Sequence, residues 1–428
     1  MRKLNRVGIA LFVLLAAALA FSACQPAAPA APSGKSEAPK TEAPKAEAKP
    51  VEAPKAEAKP AAKEAYKLGL EWEATGAAAA AGVGAEIREG ALLEAETVNA
   101  AGGIDGHPLQ VLTEDNGSDP TKTATLTTKL ARDDKVNIVL GPAFAPIVGG
   151  AITTANREQT PHILGGVFPP EMRDQKLTWT LPGSQPDELA VANAQLQVLK
   201  DKGYKKVVGI TTTSPQMQSS WEALKKLAPA AGIQILDTGD TYGDMDMDVT
   251  AQVQKVKALA NREKAEALVL EAWFLPAVTF MKGMKQLGLS LPVIGPESFA
   301  DAISLKEFGA EQEGATMVSY KLYAPDKLAA NDPQKPLIDD FIKRFKAKYN
   351  KAPGSAAQIG ADWIKLSAVA LKASGGDRAK TRDALRGLTN QVILGGVVDL
   401  SNYNHYKPGS LAQYEIHNSS FQFIKALN

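Results

Sequence analysis

Residues 99–106 read Asn-Ala-Ala-Gly-Gly-Ile-Asp-Gly and join a predicted helix to a predicted strand. Before this turn, residues 82–101 carry apolar side chains near helical spacing. Gly102 and Gly103 end that helix, because glycine readily adopts the left-handed conformation found at helix C-termini. After the turn, residues 109–112 are apolar and predict a strand. The stretch therefore defines a helix–strand unit, and similar units recur along the chain.

The alternation of strands and helices continues through most of the sequence. The predicted strands cover residues 67–70, 109–112, 136–140, 162–164, 207–211, 233–236, 267–270, 292–294 and 316–319. The predicted helices cover residues 82–101, 147–158, 186–202, 218–231, 249–262, 276–287, 334–349, 357–373 and 378–386, with another beginning at Asp119-Pro120. The tail from 392 to 426 predicts strands and turns. Uniform alternation predicts an α/β protein with doubly wound parallel sheets, whose ligand binds outside the carboxyl ends of the strands.

The beginning of the chain has the layout of a secretory signal. Three basic residues within residues 1–6 precede an uncharged apolar run at 7–21, which is too short for a comfortable membrane span. The run ends in Phe-Ser-Ala-Cys, which resembles the bacterial lipobox with Phe in place of its usual Leu. Cys24 is the only cysteine, so it cannot form an internal disulfide. We expect a lipoprotein signal peptide at 1–23 and lipidation of Cys24; the alternative is an ordinary signal peptide with a chance cysteine.

Residues 24–65 predict a tether, because they consist almost entirely of Ala, Pro, Lys and Glu in repeats such as Glu-Ala-Pro-Lys. Frequent proline prevents a continuous helix, and the shortage of large apolar residues prevents a core. The remainder, from Tyr66 to Asn428, exceeds one comfortable core and predicts two lobes. The net charge of +1 gives no indication of nucleic-acid binding. We expect a soluble, monomeric folded part, exported and held by the lipid at the outer face of a membrane.

Several short motifs keep the order and spacing of one protein family. They are Thr75-Gly76, Gly90-Ala91, the turn at 99–106, Asp115, Asp119-Pro120, Gly141-Pro142 and Gly295-Pro296-Glu297. Together they resemble the leucine/isoleucine/valine-binding proteins. The resemblance runs from Tyr66 to the C-terminus and implies the type I periplasmic binding fold, with two doubly wound parallel-sheet lobes joined by a three-strand hinge. It places residues 66–182 and 319–394 in the first lobe, and residues 183–318 and 395–428 in the second.

The resemblance implies a solute-binding component of an ABC importer. Such a protein closes its lobes on a small molecule, here a branched-chain or other hydrophobic amino acid, and delivers it to a membrane permease. The family also serves amides, urea and aromatic acids, which remain alternatives for the ligand. A lipid-anchored sensor that feeds a receptor is the alternative for the function.

The resemblance also implies roles for individual residues. Glu297 occupies the position of the family's ammonium-binding glutamate, where a charge-assisted hydrogen bond would be among the stronger contacts. Trp273 and Phe274 follow a strand at a place where an aromatic side chain often lines the pocket. Gln216 and Tyr320 are further candidates for the binding site. The alternatives are a helix cap for Glu297, core packing for the two aromatic residues and hinge packing for Tyr320.

Two loops depart from the family pattern, in which hydroxyl side chains bind the ligand carboxylate. Residues 142–146 read Pro-Ala-Phe-Ala-Pro, and residues 165–169 read Gly-Gly-Val-Phe-Pro, so neither loop offers a hydroxyl. Backbone amides near Ala145 could still bind an anion at a helix start. The candidate lining residues of these loops are Ala145, Gly166, Val167 and Phe168. The apolar loops keep a more hydrophobic or aromatic ligand open.

Other chemical motifs fail on inspection. Residues 82–87 begin like a dinucleotide fingerprint but place Ile87 at the third glycine. Residues 244–248 resemble the start of a calcium loop, yet Val249 stands where the loop needs glycine, and the segment predicts a solvated turn before a helix. The four histidines lie far apart without metal-ligand spacing. We therefore expect no enzyme activity, no cofactor and no metal.

Overall fold

The computed structural model describes residues 63–76, 79, 82–143, 145–165, 177–301, 304–403 and 405–428. The predicted signal peptide, Cys24 and almost all of the predicted tether lie outside these residues. So do Gly166, Val167 and Phe168. The predictions for them therefore stay predictions.

The strands and helices alternate as the sequence predicts. The strands are β1 (Tyr66–Trp72), β2 (Leu109–Asp115), β3 (Ile138–Leu140), β4 (His162–Ile163), β5 (Thr180–Leu181), β6 (Lys206–Thr212), β7 (Gln234–Tyr242), β8 (Ala267–Glu271), β9 (Val293–Gly295), β10 (Thr316–Tyr320), β11 (Gln391–Val392), β12 (Val397–Val398), β13 (Leu411–His417) and β14 (Ser420–Ala426). The helices are α1 (Val83–Ala100), α2 (Pro120–Arg132), α3 (Val148–Arg157), α4 (Glu188–Asp201), α5 (Pro215–Leu227), α6 (Thr250–Glu263), α7 (Phe274–Leu287), α8 (Ser304–Phe308), α9 (Lys335–Tyr349), α10 (Ser355–Ser374) and α11 (Arg378–Arg386).

Two sheets organise the described chain. The first contains β2-β1-β3-β4-β5 in that order, and all of its neighbouring strands are parallel. The second contains β14-β13-β10-β9-β8-β6-β7, in which β6 to β10 are parallel. A short β11–β12 hairpin stands apart. The predicted α/β architecture of parallel sheets is confirmed.

The second sheet ends in an antiparallel edge that simple alternation does not predict. β13 pairs antiparallel with β10, and β14 pairs antiparallel with β13. Between β13 and β14, Asn418 and Ser419 both have positive φ, at 52° and 55°. Two consecutive residues in this conformation form the tight turn favoured in hairpins, so no crossover helix is needed.

The turn at 99–106 shows why its residue types are needed. The Asn99 side chain accepts a hydrogen bond from the Leu109 amide at 2.7 Å and donates one to the Leu109 carbonyl at 2.8 Å. Gly103 has a φ of 75°, and a Cβ there would overlap with the backbone oxygen of His107. Ile104 is buried in the core beneath the first sheet. The motif thus ties the end of α1 to the start of β2.

Hydrogen bonds join the segment after β5 to the segment around β12, and join the latter to α10. Tyr406 donates its hydroxyl proton to the Ser184 carbonyl at 2.6 Å, and its amide donates to Asp187 at 2.9 Å. Asp362 of α10 accepts from the amides of Leu394 and Gly395 at 2.7 and 2.9 Å. These contacts connect segments that are distant from one another in the sequence.

Candidate ligand-binding site

The faces of the second sheet can be assigned from its core packing. In β8, Ala267 and Val269 belong to the core beneath α4 and α5, whereas Leu268 and Leu270 belong to the core beneath α6 and α7. Successive side chains of a strand point to opposite faces. Glu271, the last residue of β8, therefore lies on the α4/α5 face at the carboxyl end of the sheet.

A layer of buried polar side chains covers the α4/α5 core at this end. We call it the polar layer, and its members are Gln195 of α4, Thr211 of β6, Gln216 of α5, Glu271 of β8 and Glu297 after β9. Thr211 and Glu271 are paired in register between β6 and β8. The Gln216 amide donates to the Glu297 carboxylate across 3.4 Å. The layer lies where a parallel sheet presents ligand-binding groups.

Glu297 is the predicted binding residue with the clearest chemical signature. It follows β9 directly and is 6 % exposed. Its Oε1 accepts from Gln216, while its Oε2 has no hydrogen-bond partner among the described residues. Burial raises the pKa of Glu297 to about 7, against a small lowering by its own backbone amide. A buried carboxylate without a counter-charge has the properties needed to bind a cationic group.

Glu271 has the same character and lies beside Glu297. It is fully buried, and burial raises its pKa to about 8, with a further rise from the charge of Glu297. The Gln195 amide lies close enough to oppose this rise. Even so, neither oxygen of Glu271 and neither polar atom of the Gln195 side chain makes a hydrogen bond of ordinary geometry to a described residue.

The other predicted residues near the second sheet occupy different surroundings. Trp273 is the N-cap of α7 and Phe274 is its first residue, two residues earlier than predicted, and both are half-buried. The Phe274 ring packs against Phe308 with centroids 5.6 Å apart. Tyr320 is buried at the end of β10, where burial and then the charge of Glu297 raise its pKa well above the usual value. The structure thus brings Gln216, Glu297 and Tyr320 together.

The start of α5 also differs from the prediction. The helix begins at Pro215, three residues before the predicted start at 218, because proline fits the first turn of a helix. Gln216 therefore lies on a helix and is only 6 % exposed. This position directs its amide toward Glu297 and away from solvent.

In the first lobe, Glu73 connects three loops at the carboxyl end of the sheet. Its Oε1 accepts from the Asn116 side chain at 3.3 Å and from the Ala143 amide at 3.1 Å. These residues follow β1, β2 and β3, which are neighbours in the order β2-β1-β3. Ala145 begins a short 3-10 helix that leads into α3. The backbone near Ala145 thus stands at a helix start, as expected.

Sequence reasoning did not predict the burial of Glu71, Glu73, Glu271 and Asp362. Each of the first three stands in or directly after the last residues of an apolar strand. The sequence did contain a signal for Glu271. Trp273 was chosen because it follows a strand, and the same criterion applies to Glu271, two positions earlier. Asp362 lies within a predicted helix, and nothing in the local pattern indicates that it accepts amides from residues 394 and 395.

The buried carboxyls predict a specific pH dependence of stability. Burial raises the pKa of Glu71 and Glu271 to about 8 and that of Glu297 and Asp362 to about 7. Each acid binds more protons when folded than when unfolded, so the free energy of unfolding decreases as pH rises from about 4.5 toward 8. The melting temperature of the ligand-free protein should fall by several degrees between pH 5 and pH 8 in a calorimetric scan. A constant or rising value over this interval would contradict the assignment.

The described residues offer no group of three or more His, Cys, Asp or Glu side chains arranged to hold a metal ion. Residues 243–249 form a turn before α6, as predicted, with Met245 and Met247 exposed. Among the helices in the described ranges, none is both long and apolar enough to cross a bilayer.

The fold places a layer of buried polar side chains at the edge of a parallel sheet where small-molecule ligands bind in proteins of this class. A family model described as periplasmic binding protein matches residues 65–418, and the chain belongs to this family. The resemblance seen in the motifs, and with it the type I periplasmic binding fold, is confirmed. The family consists of exported solute-binding proteins.

Proteins similar to this chain include amino-acid-binding proteins and one protein in complex with benzoate. The Leucine-, isoleucine-, valine-, threonine-, and alanine-binding protein of Pseudomonas aeruginosa is 25 % identical over 327 residues, which are 74 % of this chain and 83 % of the relative. The branched-chain amino acid transporter substrate binding protein LivJ of Streptococcus pneumoniae, in complex with isoleucine, has a TM-score of 0.69 and 20 % identity, covering 85 % of this chain and 100 % of that one. An ABC transporter solute binding protein of R. palustris, in complex with benzoate, has a TM-score of 0.68 and 21 % identity, covering 85 % and 96 %.

Proposed function

We propose that this protein is the substrate-binding component of an ABC importer and that its lobes close on a small hydrophobic molecule, foremost a branched-chain amino acid. The observation that carries the proposal is Glu297, a buried carboxyl at the carboxyl end of the second sheet with one oxygen free of partners among the described residues. An amino-acid ammonium group would supply the missing donors. The Pseudomonas aeruginosa relative binds this class of ligand according to its name.

Closure of the lobes would complete the site. Gln216 and Glu297 contribute from the second lobe, Tyr320 contributes from the crossing at the end of β10, and the backbone near Ala145 contributes from the first lobe. Trp273 or Phe274 supplies an apolar contact at the rim of the site. Gly166, Val167 and Phe168 supply lining from a loop of the first lobe. A closed form is favoured because contacts to both lobes exist only after closure. The lobes comprise residues 66–182 with 319–394 and residues 183–318 with 395–428, and no catalytic step is required.

An aromatic acid is the second candidate ligand. The loop at 142–146 has no hydroxyl to bind the carboxylate of an amino acid, and the same is true of the loop at 165–169. A structural neighbour is in complex with benzoate. This candidate, however, places an anionic ligand near two buried carboxyls.

A thermal-shift screen of the purified protein distinguishes the two ligands. At a concentration about 100-fold above the dissociation constant, a ligand stabilises by about 2.7 kcal/mol, which corresponds to a shift of several degrees. We expect a shift with L-leucine or L-isoleucine at pH 7.5 and none with D-leucine as the control. A shift with benzoate alone would favour an aromatic acid over an amino acid as the ligand. The absence of a shift with any amino acid, amide, urea or aromatic acid would contradict both candidate ligands.

We further propose that the protein is a monomer tethered to the outer face of a membrane by lipid on Cys24. The apolar run at 7–21 and the small residues before Cys24 support this proposal. Two or three acyl chains anchor durably, because each buried methylene contributes about 0.8 kcal/mol. A Cys24→Ser variant should move from the membrane fraction to the soluble fraction, whereas Ser22→Ala should stay in the membrane fraction. Unchanged partitioning of Cys24→Ser would contradict the anchor.

A further inference from the structure

We propose that Glu271 is a second ligand-binding carboxyl and that Glu271 and Glu297 together bind one cationic nitrogen head group, an ammonium or an amidinium. This inference rests on the proposed function and narrows its ligand class. It assigns a role to a residue that neither the motifs nor the relatives single out.

The first argument is the hydrogen-bonding state of the polar layer. Both oxygens of Glu271, Oε2 of Glu297 and the side-chain oxygen of Gln195 are buried acceptors without a hydrogen-bond partner in the described ranges, and the Gln195 side-chain nitrogen is the one buried donor beside them that also lacks a partner. A buried acceptor that lacks a donor destabilises the folded state, because it has lost its hydrogen bonds to water without replacement. Four acceptors of this kind, close to each other, match a head group that carries several N–H donors.

The second argument is that the part of the chain described by the structure offers the two carboxyls no counter-charge. Among the described residues, no lysine or arginine is one of the groups that shift the pKa of Glu271 or Glu297. Lys321, which directly follows β10, is buried in a pair with Asp332 at 2.6 Å and is thus already neutralised. No described residue supplies a cation at the polar layer, and a cationic ligand would supply one.

The third argument is geometric. Glu271 ends β8 and Glu297 follows the adjacent strand β9, so their backbones are held by two paired strands of one sheet. Gln195 of α4 and Gln216 of α5 flank the two carboxyls, and Tyr320 of β10 lies beside Glu297. Among these neighbours, only the two carboxyls titrate near neutral pH. The two carboxyls therefore lie at the same end of two adjacent strands.

Proton release is the consequence that a merely structural role for Glu271 would not produce. Burial raises the pKa of Glu271 to about 8 and that of Glu297 to about 7, so the ligand-free pair holds at least one proton at pH 7. A cation favours the ionised carboxylates, and the displaced protons pass to the buffer. Affinity for a cationic head then rises by up to about tenfold per pH unit for each proton released.

The test compares ligands that differ in the charge of their head group, three of which share a benzene ring. Calorimetric titrations of the full protein use L-leucine, benzamidine, benzamide and benzoate at pH 6 and pH 8, in two buffers with different ionisation enthalpies. We expect the wild-type protein to bind leucine and the benzamidinium ion, to bind them more tightly at pH 8, and to release protons. We expect binding of benzoate, which has nearly the same shape as benzamidinium, to be weaker by at least about 100-fold, because a like charge at the pair is repelled.

Two variants separate the roles of the carboxyls. Glu271→Gln should weaken benzamidinium binding at pH 8 by at least about tenfold and should reduce the number of protons released, because a charged hydrogen-bond partner is lost. The matched control is Glu71→Gln, which changes an equally buried carboxyl bound to Thr127 in the first lobe and should leave both quantities unchanged. If Glu271→Gln does not fold, the head-group order and proton release of the wild-type protein carry the test.

The outcomes are distinct for the two proposals. If leucine binds but Glu271→Gln changes neither affinity nor proton release, the paired-carboxyl site is refuted and the proposed function stands. If benzoate binds more tightly than benzamidine, the cationic head group is refuted. If none of the four compounds binds, the proposed amino-acid ligand fails together with the inference.

Discussion

A Gly90→Ala variant is expected to unfold at a temperature lower by roughly 5 °C or more, even though the substitution adds only one methyl group to a helix. Helices α1 and α10 pack against each other at two glycines. A Cβ on Gly90 would overlap with the backbone oxygen of Ala357, and a Cβ on Gly360 would overlap with the backbone oxygen of Ile87. Backbone atoms cannot rotate away, so the helices must separate.

The control for this prediction is Gly149→Ala. Gly149 lies in α3, and a Cβ there would have no atom within 4 Å. Alanine is favoured over glycine inside a helix by about 1 kcal/mol, so this variant should be neutral or slightly more stable. Equal melting temperatures for Gly90→Ala and the wild-type protein would show that the helices tolerate a wider spacing.

The glycine pair illustrates which features the sequence makes visible. Gly90 is part of one of the motifs that resemble the family. Glycine is needed there because the backbone of α10 lies against it, about 270 residues away along the chain. By contrast, the ends of α1 and β2 were predictable, because Asn99 and Gly103 act on residues within a few positions. Local hydrogen bonds and turn conformations can be inferred from neighbouring residue types, whereas close helix contacts cannot.

The candidate site likewise contains residues that local sequence patterns predict and contacts that only the whole fold determines. Glu297 was predictable from its motif and from its position after a strand. Its partner Gln216 was named as a candidate, yet its contact with Glu297 depends on α5 beginning at Pro215. Glu73 joins the loops after β1, β2 and β3 only because these strands are neighbours in the sheet. Strand order is a property of the whole fold, and no pattern near residue 73 reveals it.

Charge burial is the other feature that the sequence did not reveal. A carboxylate at the end of a strand predicts solvent contact unless its neighbours in the fold are known. Glu271 is covered by α4 and paired with Thr211 on β6, both far from it in sequence. Its ionisation is therefore set by tertiary structure, in agreement with the rule that perturbed carboxyls collect at functional sites.

Glu297→Gln is the variant with the largest expected effect on function. For a ligand with a cationic head group, the removal of one partner of a buried charge pair costs about 2–5 kcal/mol. The dissociation constant should therefore rise by about 30-fold to several thousand-fold. Gln216 can still donate to the amide oxygen at position 297, so the loop after β9 should keep its conformation. Calorimetric titration with L-leucine at pH 7.5 measures the change, and an unchanged dissociation constant would contradict the role of Glu297.

The same variant should make the ligand-free protein more stable at high pH, which separates loss of binding from loss of folding. Burial raises the pKa of Glu297 to about 7, from 4.5, so ionisation above this pH disfavours the folded state. Glutamine cannot ionise, and Glu297→Gln should therefore melt at a higher temperature than the wild-type protein at pH 8 and at nearly the same temperature at pH 5. Glu71→Gln should share this gain without any loss of affinity, since burial raises the pKa of Glu71 to about 8 and its Oε1 bonds Thr127 instead of a ligand. A protein that gains stability when its binding carboxyl is removed holds that carboxyl at an energetic cost, and the ligand's cation is what offsets it.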